Sequence, residues 1–164
     1  MKLTILTIIA VLIGYIGYYV YLQYKKVYCF ICDFEKYNQL LKREIEFSKK
    51  TISSISLNFT KDCKGNFIEL IKDYIDYLEK IKNKSVIINI INKNSPKKKF
   101  NNYLIEYFST IGMLDYKSQI DYLKLQEINI ELLKNEAKND LKTKGNLYKK
   151  IGILLGISLM IILV

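Results

Sequence analysis

Residues 3–22, LTILTIIAVLIGYIGYYVYL, contain no charged side chain. At about 1.5 Å per residue they make a helix of about 30 Å, the thickness of a bilayer's hydrocarbon layer. The stretch therefore reads as a transmembrane helix. Tyr15, Tyr18, Tyr19 and Tyr21 fall in its C-terminal half, where amphipathic rings sit at headgroup level, and Lys25 and Lys26 follow directly. Gly14 and Gly17 are tolerated in such a helix, because the bilayer offers the backbone no partner better than itself. A cleaved signal peptide has a shorter apolar core and a small-residue cleavage site, and YLQYKKVYCF, residues 21–30, holds no small-x-small pattern.

A second apolar run, IGILLGISLMIILV, covers residues 151–164 directly behind Tyr148, Lys149 and Lys150. Its fourteen residues reach about 21 Å as a helix, short of a full crossing. Local bilayer thinning and snorkelling of the two lysines make up the difference at modest cost. Ser158 is its one polar residue, so it has no polar face for water and is expected to insert rather than form a core helix. The lysines set the orientation. Only Lys2 precedes the first run, while Lys25 and Lys26 follow it; Lys142, Lys144, Lys149 and Lys150 precede the second and no charge follows. Both asymmetries put the middle of the chain in the cytoplasm. The expected organisation is a transmembrane helix in residues 1–24, a cytoplasmic helical bundle in 25–148 and a second transmembrane helix in 149–164.

Between the runs the apolar period is helical. Phe30, Phe34, Tyr37, Leu41, Ile45 and Ser48 recur at spacings of three and four, so the first span is expected to continue as one long helix to about residue 49. Ile52, Ile55 and Phe59 form a shorter helical face after Thr51, and residues 61–65 read as a loop. Asn66 with Glu69 has the spacing of a capping box for a helix bearing Phe67, Ile68, Leu70, Ile71, Tyr74, Ile75, Leu78 and Ile81, to about Lys82. The β-branched SVIINIINKN, capped by Ser85, is read as a short buried helix, since no second strand exists to pair with it. Ser95-Pro96 gives a start signal for a helix carrying Phe100, Tyr103, Leu104, Tyr107, Phe108 and Ile111, ended by Gly112. Asp115 caps the longest helix, from Tyr116 to about Lys144, with Ile120, Leu123, Ile128, Ile130, Leu133, Ala137 and Leu141 inward and Gly145 loosening its join to the last run. The fold class is all-α: five or six packed helices flanked by two spans.

The chemistry is sparse. The 164 residues carry a net charge of +10, but only Arg43 is an arginine, and no nucleic-acid motif accompanies the scattered lysines. A lysine-rich face toward anionic lipid fits better. Cys29 and Cys32 form a lone C-x-x-C, and Cys63 adds a third thiol; with no histidine in the chain these do not complete a zinc site, so they read as structural thiols. No glycine-rich phosphate loop and no G-x-S-x-G is present, and Asp73, Asp76 and Glu79 alternate with lysines as on a solvated face. The expected protein is a scaffold or adaptor, with no catalytic residue, no metal, no cofactor and no small-molecule substrate.

The order of these features resembles a family: stage III sporulation protein AB of endospore-forming bacteria. The likeness lies in YLIEYFSTIGMLDYKSQIDYLKL, residues 103–125, which is similar to the family's helix end followed by L-G-x-x-D and a downstream Gln. Gly112, Asp115 and Gln119 fall on that pattern, with Ile111 in place of the usual leucine. Gly152 and Gly156 sit where the family's final span has glycines, and Leu41 with Glu44-Ile45 fits its L-x-x-E-I. The chain departs from the family's Arg-Pro after the first span, where it has LQYKKVY, and from its Pro-Leu after the first cytoplasmic helix, where it has Thr51-Ile52.

The resemblance implies a protein of the mother-cell membrane around the forespore, in the channel complex that links the two compartments. It implies a helical domain similar to the inner-membrane platforms of type II secretion and type IV pilus machines. The implied partners are a secretion-type ATPase resembling stage III sporulation protein AA, the other membrane proteins of the channel, and the bilayer. Gly112, Asp115 and Gln119 are then turn and cap residues beside a possible partner surface. The rival from another class is a membrane-anchored protein that holds nucleic acid through its lysines.

Overall fold

The computed structural model describes residues 2–62, 65–79 and 83–163, and every regular element among them is helical. Helix α1 runs unbroken from Lys2–Arg43 and passes into a π-turn at Glu44–Ser48. It is followed by α2 (Ile52–Asp62), α3 (Asn66–Glu79), α4 (Lys84–Asn94), a 3₁₀ turn at Lys98–Phe100, α5 (Asn101–Thr110) and α6 (Tyr116–Asp140). A second π-turn at Leu141–Gly145 leads into α7 (Asn146–Leu163). The chain divides into two compact units, Cys29–Leu133 and the pair Met1–Tyr28 with Lys134–Val164.

The unit Cys29–Leu133 is a bundle built on aromatic rings. Phe30, Phe34, Tyr37, Leu41 and Ile45 are buried as their spacing predicts, while Ser48 at the end of that stripe is exposed. The Phe34 ring stands edge-on to Tyr107, with centroids 4.6 Å apart, and Phe67 meets Phe30 edge-on at 5.0 Å. Each such pair adds about 0.5–1.5 kcal/mol beyond the area that it buries. Several polar atoms inside this core are paired across elements, whereas the buried Tyr74 hydroxyl has no hydrogen-bond partner among the described residues. Ser56 donates to the Ile52 carbonyl, which leaves its oxygen to accept from the Tyr37 hydroxyl at 2.7 Å. Tyr107 donates to the Asn38 side-chain oxygen at 2.8 Å, and the Asn38 amide donates to the Leu123 carbonyl at 3.1 Å, so one asparagine joins α1, α5 and α6. Burial pushes the Tyr37 and Tyr107 hydroxyls well above the usual tyrosine range, so both stay protonated donors. Lys42 and Glu127 close the rim at 2.6 Å.

Several local expectations shift. SVIINIINKN is helical, within Lys84–Asn94, but its cap is Asn83, whose side chain accepts from the Ser85 N–H. Ile87 and Ile91 of α4 are fully buried and Val86 is exposed, so the helix is half-covered rather than buried. Ser95 does not start the next helix: its N–H closes α4 on the Ile91 carbonyl, and α5 begins only after the 3₁₀ turn, at Asn101. Asn66 is itself the first residue of α3, and the Gly65 carbonyl takes the first bond, from Ile68 N–H. Ile128 is 60% exposed, one position off the buried stripe of α6 held by Leu123 and Ile130. Asp73 does more than face water, since Lys93 and Asn94 of α4 bond to its carboxylate at 2.9 and 2.8 Å. Cys29 and Cys32 are free thiols; Cys63, Ile81 and Lys82 lie outside the described residues.

The other unit is a helical hairpin held where side chains are missing. A Cβ placed on Gly17 would lie 2.9 Å from the Gly152 Cα and 2.6 Å from the Tyr148 carbonyl oxygen; one on Gly156 would lie 2.8 Å from the Ala10 carbonyl oxygen. As α1 advances from residue 10 to 17, its partner on α7 retreats from 156 to 152, so the two helices pack antiparallel with their backbones in contact. Gly145 is buried against Tyr21, Tyr24 and Leu141, so it does not loosen the join but fits the second π-turn under two tyrosines. The Tyr24 and Tyr148 rings stack, and the Lys149 ammonium lies over the rings of Tyr18 and Tyr21 at 5.9 and 5.4 Å. The faces turned away from the seam are apolar and exposed, including Val11 at 70%, Ile16, Leu154 and Ile161 at 73%. Among the described residues one helix, that containing the first apolar run, is long and apolar enough to cross a membrane, and 11% of its apolar window is buried.

Candidate functional site

Gly112, Asp115 and Gln119 meet in one turn between α5 and α6. Helix α5 ends as the Ile111 N–H bonds the Tyr107 carbonyl, and Met113 N–H then bonds Thr110. Between them Gly112 takes φ +82°, a region closed to most side-chain-bearing residues. Asp115 begins α6: its carboxylate accepts from Ser118 N–H at 3.3 Å and its carbonyl from Gln119 N–H at 2.8 Å. Gln119, 4% exposed, reaches back so that its side-chain oxygen accepts from Gly112 N–H at 3.0 Å. The glutamine thus replaces the helical partner that Gly112 N–H has lost. Hydrogen bonds from the Ser118 side chain and backbone hold the Asp115 carboxyl below the usual carboxylate range, so it is ionised throughout the physiological range.

This geometry fixes a loop; it sets no nucleophile beside a base. What it presents lies around it. Tyr116 donates to the Glu46 carbonyl at 2.9 Å, which ties the loop to the π-turn at the end of α1. Two segments seventy residues apart in sequence therefore form one end of the bundle. Phe47 is 78% exposed there, Met113 65%, and Tyr116 and Leu114 are also open to solvent. Lys49 turns the chain with φ 49°, an uncommon conformation for a residue with a side chain. Sequence periodicity missed Phe47 because it lies off the stripe that runs through Ile45 to Ser48; its signal was a large apolar residue between Glu46 and the Ser48-Lys49-Lys50 that follows. Among the described residues no three His, Cys, Asp or Glu side chains gather as a metal site would require.

A family model described as stage III sporulation protein AB matches residues 2–164. Comparison with curated proteins and with solved structures finds no match. The loop that carries the family pattern, the aromatic bundle and the glycine-packed hairpin all lie inside the matched span. This chain belongs to the stage III sporulation protein AB family, and its role lies in stage III of sporulation.

Proposed function

We propose that the protein is a non-enzymatic membrane platform of the channel complex between mother cell and forespore. In this reading both helices of the glycine-packed hairpin cross the mother-cell membrane, and Cys29–Leu133 forms the cytoplasmic body. That body docks a secretion-type ATPase similar to stage III sporulation protein AA and couples it to the channel proteins in the bilayer. The observation that carries the reading is the hairpin. Its seam is made of backbone contact at Gly17, Gly152 and Gly156, while large apolar side chains point outward. A seam of small residues beneath outward apolar side chains is how helices associate in lipid, where burial of apolar area supplies no drive between them. Lys25, Lys26, Lys149 and Lys150 at one end of it favour that end on the cytoplasmic side.

The test is co-expression of the full chain with the ATPase, solubilisation in mild detergent and affinity purification through the ATPase. The expected result is recovery of the two together. Failure of the full chain to enter the membrane fraction, or its absence from the purified ATPase, refutes the reading.

A further inference from the structure

The end of the bundle where the first π-turn meets the α5–α6 loop carries an exposed apolar group ringed by charges. Its centre is Phe47 and Met113, 78% and 65% exposed, with Leu114 and Tyr116 beside them. Clusters of this kind, aromatic and methionine at the middle and charges at the edge, are the anatomy of a protein interface. The loop is rigid: Gly112, Asp115 and Gln119 fix one side of it, and the Tyr116 bond to Glu46 fixes the other. A rigid patch loses little entropy on docking.

The charges identify the occupant. Arg43 and Lys50 share Glu44, at 3.7 and 2.7 Å, at a groove of about 200 Å³ that Lys61 and Ile55 also line. Lys49 and Lys117 are exposed beside the apolar centre and make no ion pair among the described residues. The balance is basic, so the complement is acidic. A lipid surface would suit a uniformly basic patch, yet Glu46 and Asp115 stand exposed at this rim. The mixed rim with an apolar middle therefore fits a protein.

We infer that this end of the bundle is the docking face for a protein partner that presents an apolar contact flanked by carboxylates. The inference rests on the platform reading and names the surface through which the ATPase is held. In the detergent-solubilised complex, ATPase affinity is measured for the full chain, for Phe47→Ser with Met113→Ser, for Lys49→Glu with Lys117→Glu, and for Leu125→Ser with Ile128→Ser on the exposed face of α6. The four apolar positions are at least 57% exposed, so their replacement leaves the core intact. The expected result is a rise in Kd of about thirtyfold for the first pair. The charge reversal is expected to weaken binding about tenfold, with the loss fading at high salt. The α6 pair stays within about twofold. A photo-crosslinking residue at position 47 is expected to join the ATPase. Tip variants that bind as the parent does, or a crosslink from position 47 to lipid, overturn the inference while the platform stands. A parent chain that does not bind the ATPase overturns both.

Discussion

Gly14 and Gly17 lie one turn apart on α1, yet substitution by alanine should separate them completely. A Cβ on Gly14 meets nothing within 4 Å. A Cβ on Gly17 meets three backbone atoms, at 2.6, 2.9 and 3.3 Å, where ordinary contact begins at 3.4 Å. None of the three is the end of a flexible side chain, so the helices themselves must part by about 0.8 Å. A gap of about 0.5–1 Å forfeits a quarter to a half of each dispersion contact along the seam. Overpacking of this kind costs about 1–3 kcal/mol. In lipid no hydrophobic term offsets it, because close packing is what holds such helices together.

The assay is thermal unfolding of the full chain in mild detergent, followed by circular dichroism, with amide exchange of the two helices as a local readout. Gly17→Ala should lower Tm by about 4–8 °C, taking about 2 kcal/mol and the 2–4 °C per kcal/mol of a chain this size. Exchange should quicken at both helices of the hairpin. Gly14→Ala should leave Tm unchanged or slightly raised, since alanine favours a helix over glycine by up to about 1 kcal/mol. Gly152→Ala and Gly156→Ala, whose Cβ atoms would approach backbone at 2.9 and 2.8 Å, should follow Gly17. If Gly17→Ala melts as Gly14→Ala does, the seam is not what holds the hairpin.

Other outcomes follow from single contacts. Tyr107→Phe strands the Asn38 side-chain oxygen in the core and should cost about 1–3 kcal/mol in chemical denaturation, with the secondary structure intact. Gly112→Ala should destabilise by about 1–2 kcal/mol through its positive φ, whereas Gly112→Asn should cost less because asparagine tolerates that region; equal losses would point to the Ile52 contact instead. Burial raises the Asp73 carboxyl, but bonds from Lys93 and Asn94 and the Lys93 charge outweigh it and hold the group below its ordinary value. Its contribution is therefore present above the unfolded carboxylate range and lost as the pH falls through the lower folded value. Asp73→Asn should remove that part of the acid-side loss of stability, measured as Tm against pH.

How much of this was legible depended on what decided each residue's place. Phe34, Tyr37, Leu123 and Tyr107 were found by period alone, because burial in a bundle obeys the 3.6-residue repeat and those residues lie at its centre. Asp115 and Gly112 were legible too, since cap and left-handed turn are local chemistry. Ser95-Pro96 misled although its signal is just as local: the Ser95 hydroxyl donates to the Lys97 carbonyl at 3.2 Å instead of accepting from a following N–H, and the Ser95 N–H closes the preceding helix on Ile91. Ile128 failed because α6 is covered on a narrower stripe than its composition suggests. The two π-turns were invisible, as an inserted residue leaves no mark in composition, and with them went the exposure of Phe47. The Gln119 bond to Gly112 could not be derived from spacing, although both residues stood in one motif.

The two units use opposite means to hold helices together, and the contrast bears on their solvents. In Cys29–Leu133 the contacts are large rings: Phe30, Phe34, Phe67 and Phe108, each at most 2% exposed. Moving such rings out of water contributes about 1.5–3 kcal/mol apiece, so a bundle in water gains by filling its interior with them. The hairpin does the reverse. Its seam is Ala10, Gly17, Gly152 and Gly156, and its large residues, Val11, Ile16, Leu154 and Ile161, face outward. In water that arrangement would leave the most favourable term unused and expose it all round. In lipid the outward side chains lose nothing, and the small residues gain by bringing two backbones into contact. A chain that keeps its phenylalanines to one unit and its packed glycines to the other fits the proposed division between water and lipid. Partition of the separate segments between water and detergent is the measurement that would contradict this, if residues 134–164 remained in water.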